Sequence, residues 1–209
     1  MKFGIFIYDG VEPIDLATFG VLSMARRIRP EIEIHTVGPV AGPVRLSNGL
    51  VVLADYALAD APSFDVLIVT GGPGWVEESR RAETLDLLRE RSQGTLLVSV
   101  CTGAMILGAS GVLEGLRATT KREVVPPEFP PIRQMTDLYP GIDVVEASLV
   151  DEGHVITGGG VSLCIDATLH LLDRLFGGNV AAETARIIEY QRAWSANLEQ
   201  FPPLVRRPV

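Results

Sequence analysis

The stretch Leu96-Leu97-Val98-Ser99-Val100-Cys101-Thr102-Gly103-Ala104-Met105 runs an apolar strand straight into a tight turn, with a helix following at once. Such a strand-turn-helix holds one side chain, here Cys101, in an exposed and strained position at the carboxyl end of a strand. It also aims the first amides of a helix at the sulfur, and their partial positive charge favours a thiolate. Cys101 therefore reads as a nucleophile on an elbow. The competing reading is the buried small hydrophobe that free cysteine usually is.

Strand-like and helix-like runs alternate outward from this point. Continuous apolar strands are predicted over residues 3–8, 65–70 and 95–100, with another over 31–37. Helices are predicted over 13–27, 82–92, 103–110, 162–176 and 179–194. Residues 44–55 read as a hairpin turning at Asn48-Gly49. Residues 143–149 and 154–157 read as strands flanking Asp151-Glu152-Gly153. The Pro-rich stretch from Pro126 to Pro131 reads as a loop or short lid, and the tail from about residue 195 as irregular. Apolar strands separated by helices predict an α/β domain, a mainly parallel sheet covered on both faces. No repeat or linker divides the 209 residues, so a single domain over 1–209 is expected.

A net charge of −8 argues against nucleic acid, since phosphate binding needs clustered Lys and Arg and the Arg206-Arg207 pair is too short an arm. No apolar run reaches membrane-spanning length. The opening segment reads as a strand, too soon interrupted for a signal peptide. Two cysteines in different motifs suggest reduced thiols and a cytoplasmic location.

Ligands on parallel sheets bind outside the carboxyl ends of the strands. Gly71-Gly72, Cys101-Thr102 and Gly158-Gly159-Gly160 all fall there, and Asp15 follows the first strand. The Thr102 amide points at what Cys101 would attack, and the Gly72 amide could supply a second donor to an oxyanion hole. A glycine pair at 71–72 lets backbone approach a ligand closely. Asp15 is the preferred acid/base partner of Cys101, with Glu12 its rival. His35, His154 and His170 take no part, His170 being expected to pair with Asp166 one helical turn away. Cys164 reads as packing, Trp75 as a pocket wall or a cover for its loop, and no cluster has metal-ligand spacing.

Together these residues resemble the DJ-1/PfpI superfamily, with its class I glutamine amidotransferase-like fold. The resemblance rests on Gly71-Gly72-Pro73-Gly74, Ser99 to Gly103, Ala118-Thr119-Thr120 and Thr157 to Val161. Asp9-Gly10-Val11 followed by Asp15-Leu16 looks most like the isonitrile hydratase branch. The resemblance implies a flavodoxin-like three-layer α/β/α sandwich, a homodimer and no cofactor. It implies that Cys101, Asp15 and Thr102 hydrate a small isonitrile to an N-substituted formamide. One departure is Lys121-Arg122 after Thr120, where the family often has His-Trp, so a histidine-assisted hydrolysis loses its base. The fold also serves as the ligand-sensing half of AraC-type regulators, whose ending Ile187-Ile188-Glu189-Tyr190 resembles. The alternative function is therefore a sensor of a small ligand or of oxidation.

Overall fold

The computed structural model describes residues 1–206; Arg207 of the terminal pair lies outside the described residues. In chain order the strands are β1 (Lys2–Phe6), β2 (Glu33–Gly38), β3 (Gly42–Arg45), β4 (Val51–Ala54), β5 (Tyr56–Ala57), β6 (Val66–Val69), β7 (Leu96–Ser99), β8 (Arg117–Ala118), β9 (Asp143–Val144), β10 (Leu149–Asp151), β11 (Val155–Gly158) and β12 (Leu204–Val205). The helices are α1 (Ala17–Ala25), α2 (Trp75–Glu78), α3 (Ala82–Arg91), α4 (Gly103–Ala109), α5 (Pro131–Leu138), α6 (Leu163–Phe176), α7 (Gly178–Ile187) and α8 (Gln191–Gln200).

Eight strands form one sheet in the order β12-β10-β11-β7-β6-β1-β2-β5, parallel throughout except where β10 meets β11. Leu67, Ile68, Val98 and Ile156 have at most 1% exposure, as strands covered on both faces require. Helices α1, α6 and α7 pack together, and α4 packs with α2, α3 and α5. From β1 the chain steps outward to β2, whereas from β6 it steps the other way to β7. With right-handed crossovers these two directions put the two groups of helices on opposite faces. The order reverses between β1 and β6, and there the loops at the strand ends splay apart into a crevice.

Several local expectations needed revision. The helix expected from Pro13 begins as a tight 3-10 turn, Pro13–Leu16, before α1. The tighter winding turns Asp15 inward, to full burial. The hairpin is β3–β4, joined by a 3-10 turn with Asn48 at φ 59° and Gly49 at φ 91°. Residues 143–149 are not one strand: β9 pairs with β8 in a small separate ladder, and β10 joins the main sheet. The last helix breaks into α7 and α8 at Glu189, which has φ 57°. Long-range bonds fix the second piece: the Tyr190 hydroxyl donates to Asp166 at 2.9 Å and the Asn197 amide at 3.0 Å. The tail expected to be irregular is helical to Gln200, and β12 then covers the edge of β10. An unpaired strand edge carries a row of unsatisfied backbone groups, which Leu204 and Val205 satisfy despite the prolines before them.

Candidate active site

Three loops at the carboxyl ends of β6, β7 and β11 meet the turn that follows β1. Cys101 sits on the β7–α4 loop at φ 53°, a left-handed conformation that costs a side-chain-bearing residue about 1–3 kcal/mol. Its neighbours hold it there. The Cys101 amide donates to the Gly159 carbonyl at 3.0 Å, and the Thr120 hydroxyl donates to the Cys101 carbonyl at 2.8 Å. The residue is 2% exposed, yet it lines a cavity of about 510 Å³. The expected exposed thiol is thus a nearly covered one at the floor of a pocket, because the loops after β6 and β11 close round it.

The glycines are dictated by the same crowding. A Cβ on Gly71 would lie 2.3 Å from the Thr102 amide nitrogen, and one on Gly72 would lie 2.2 Å from that of Glu12. Their amides, however, are already engaged. Gly71 donates to Asp15 Oδ2 at 2.7 Å, and Gly72 donates to the Thr102 hydroxyl oxygen at 2.8 Å. Gly72 is therefore not a free oxyanion donor, contrary to the sequence reading. The Thr102 hydroxyl also donates to the Gly72 carbonyl at 3.2 Å, so this side chain staples the β6 loop to the β7 loop. The Val161 and Thr102 amides lie near enough to the sulfur to draw its pKa down. Val161, at φ 49°, is the neighbour of the sulfur that sequence reasoning missed. The signal was present in the Gly158-Gly159-Gly160 run, but only the fold swings the residue after it over Cys101.

Asp15 is fully buried beside Cys101, whereas Glu12 is partly exposed on the cavity wall. Asp15 Oδ1 has no partner of good hydrogen-bond geometry. The Cys101 thiol still lies close enough to draw the Asp15 pKa down. Burial dominates nonetheless and pushes the Asp15 carboxyl up to about 7, opposed by the Gly71 amide and assisted by the charge of Glu12. Burial, then the charge of Asp15, pushes the Cys101 thiol up to about 12 against the pull of the Val161 and Thr102 amides. Burial and the neighbouring carboxylate thus favour the neutral thiol, against the pull of the short helix α4 towards the ionised form. Two partial charges at a helix end are outweighed by the desolvation of a sulfur anion next to a carboxylate.

The rest of the wall is mainly apolar, from Trp75, Val76, Val124 and Phe129, with Lys121, Glu128 and Gln134 interspersed. Trp75 takes the pocket-wall role, and the Pro-rich stretch contributes Glu128 and Phe129 to one side. No histidine lines the cavity among the described residues. His170 bonds Asp151 at 2.9 Å rather than Asp166, because β10 passes closer to it than its own helix neighbour does. His35 sits by the Tyr56 and Phe64 rings, and His154 is exposed. Cys164 is fully buried, its thiol 3.5 Å from the Ile14 carbonyl, and burial raises its pKa. Both cysteines are free thiols. Among the described residues, no group of three or more His, Cys, Asp or Glu could hold a metal ion, and no helix is long and apolar enough to cross a membrane.

The DJ-1/PfpI family matches residues 1–174, a span that holds both Cys101 and Asp15. The chain belongs to the DJ-1/PfpI family. It is 32% identical over 195 residues to isonitrile hydratase of Pseudomonas putida, covering 91% of this chain and 77% of that one. It is 28% identical over 207 residues to the HTH-type transcriptional regulator GbdR of Pseudomonas aeruginosa, covering 96% of this chain but 54% of the regulator. The chain thus spans about half of that relative. Among solved structures, a ThiJ/PfpI family protein from Pseudomonas syringae superposes with a TM-score of 0.78 at 23% identity, over 96% of this chain and 87% of that one. The DJ-1/PfpI membership and the flavodoxin-like sandwich accord with the sequence reading.

Proposed function

We propose that this DJ-1/PfpI protein is a cysteine-dependent hydratase that converts small isonitriles to N-substituted formamides. The observation that carries the reading is a fully buried carboxyl, Asp15, set beside the Cys101 thiol that lines the cavity floor; burial pushes that carboxyl up to about 7. A group with that pKa both takes and gives a proton near neutrality. The likeness to the Pseudomonas putida isonitrile hydratase supplies the substrate class.

In the proposed reaction the thiol proton passes to the Asp15 carboxylate as sulfur attacks the terminal isonitrile carbon. Asp15 then delivers that proton to the same carbon, so one C–S and one C–H bond form and a thioimidate results. Water adds to the C=N carbon, giving one proton by way of Asp15 to nitrogen. The tetrahedral adduct expels the sulfur, which recovers a proton from the new hydroxyl, and the formamide leaves. The Val161 and Thr102 amides steady the sulfur whenever it bears negative charge. The sum is one isonitrile and one water to one formamide, without change of oxidation state.

The test is incubation of the purified protein with a panel of alkyl and aryl isonitriles, following the formyl proton of the product by NMR. Formamide at a rate proportional to enzyme is expected; no product from any member would overturn the reading. A second reading, a ligand sensor without turnover, draws on the likeness to GbdR. Its oxidation-sensing form would act through the same Cys101 sulfur, with Asp15 again placed to take the thiol proton. Sulfinic acid at Cys101 after mild peroxide, together with no turnover, would favour that second reading.

We also propose that two copies of the chain associate, as the family resemblance implies. Sedimentation equilibrium should give a dimer for the native protein. A monomeric native protein sinks the proposal.

A further inference from the structure

A second cavity of about 440 Å³ adjoins the one over Cys101. Lys121 and Val161 line both, so these two residues form the shared wall. The Lys121 stem lies tightly across the β11–α6 loop: a Cβ on Gly160 would come within 2.8 Å of its Cγ. Its ammonium group donates to the Glu123 carbonyl and so stays with the loop that bridges the two spaces. Each cavity is within the range of about 300–1,000 Å³ that holds a small ligand.

The charges of the two spaces differ. The cavity over Cys101 carries two carboxylates, Glu12 and Glu128, against the single cation Lys121 among the described residues. The second cavity carries two cations, Lys121 and Arg122, against one acid, Glu123. That acid is 89% exposed, where water screens it. Its ion pair with Arg122 is loose at 3.7 Å, and the pair of Arg122 with Glu146, itself 70% exposed, is looser at 3.8 Å. The Arg122 guanidinium is instead oriented by a ring: its carbon lies 4.2 Å from the centroid of Phe201, at the end of α8. The cation is thus held in place with little of its charge cancelled. Gln200 adds a neutral polar side chain to the same wall. An anionic group is repelled near Glu12 and Glu128 and attracted on the far side of Lys121.

We propose that the substrates are isonitriles with an extended apolar chain ending in a carboxylate, the isonitrile carbon on Cys101 and the carboxylate held by Lys121 and Arg122 in the second cavity. This rests on the hydratase reading above and narrows its substrate class. The apolar chain runs past Val161, the one nonpolar side chain common to both spaces. It also gives the family departure at Lys121-Arg122 a role, since the positions where a histidine-tryptophan pair is common carry two cations here.

The test is kcat/KM for a series of ω-isocyanoalkanoates beside n-alkyl isonitriles of equal chain length. The ratio of acid to alkyl substrate should climb with length and reach about 10-fold once the chain spans both cavities, the worth of one or two partly solvated charge pairs. In Arg122→Gln the ratio should fall to near one at that length, and in Arg122→Lys it should persist. A ratio near or below one at every length in the native protein overturns the proposal, as does a high ratio that survives in Arg122→Gln. A second arm needs no turnover: calorimetric titration of Cys101→Ser with ω-formamidoalkanoates, which should bind more tightly than the matching alkylformamides. Tighter binding of the acids without turnover of any isonitrile would leave the anion-binding cavity standing and remove the hydratase reading. Turnover without preference for the acids, in rate or in binding, would leave the hydratase and remove the cavity's role. Neither turnover nor preferential binding would remove both.

Discussion

Cys101→Ala loses formamide production from every isonitrile by at least about 10³-fold, because no other group on the cavity wall can form the carbon–sulfur bond. The effect should fall on kcat, leaving ligand affinity nearly untouched, since alanine keeps the shape of the floor. The left-handed backbone at residue 101 is enforced by the Gly159 and Thr120 bonds, both made by main-chain atoms of Cys101, so the variant should fold. Initial rates with native and variant protein at equal concentration decide the matter. Residual activity within ten-fold of native would mean that the sulfur does not attack, and the proposed covalent step would have to be abandoned.

Asp15→Asn lowers kcat/KM by about 10²–10⁴-fold, the usual worth of a positioned acid–base group. It also changes how stability depends on pH, and that second effect separates chemistry from packing. The folded-state pKa of Asp15, about 7, lies above the ordinary value of 3.8. The folded protein therefore binds more protons than the unfolded chain between about pH 4 and 7. Its stabilising contribution is complete below the lower value and is lost as pH rises through the upper one. A shift of about three units corresponds to about 4 kcal/mol at most for this buried group. Asparagine still accepts the Gly71 amide bond but cannot ionise. Denaturant melts at pH 4 and pH 8 should show the native protein losing stability relative to Asp15→Asn by a few kcal/mol. Parallel curves would mean that the carboxyl titrates normally. In the native enzyme kcat/KM should rise with pH through about 7, because the attacking thiol needs an ionised Asp15 to receive its proton.

The β7 elbow was legible because its signal is local. Residues 96–100 are apolar without interruption, a cysteine follows, and Gly103 opens a helix where a Cβ would strike the Val69 carbonyl at 2.1 Å. Asp15 was legible as a position but not as an environment. The sequence places it after the first strand; the 3-10 turn and the Gly71 amide put it under the sulfur. The amides round the sulfur were half legible. Thr102 follows Cys101 in the chain, whereas Val161 lies sixty residues further on and arrives only because β11 pairs with β7. Gly72 was misjudged because the partner of its amide, the Thr102 hydroxyl, belongs to another loop. The C-terminal segment misled for a similar reason: its helix and edge strand are fixed by Asp166 and by the open side of β10.

The order of apolar strands and helices, set by short-range periodicity and by glycines that a tight turn demands, was enough to determine an α/β sheet with a cysteine at one strand end. Protonation was decided by the tertiary structure alone. Whether a thiol or a carboxyl carries its proton depends on how much water the packed loops remove and on which charges they bring within a few ångströms. For Cys101 and Asp15 those charges come from segments far apart in the chain, so no reading of neighbours along it could supply them.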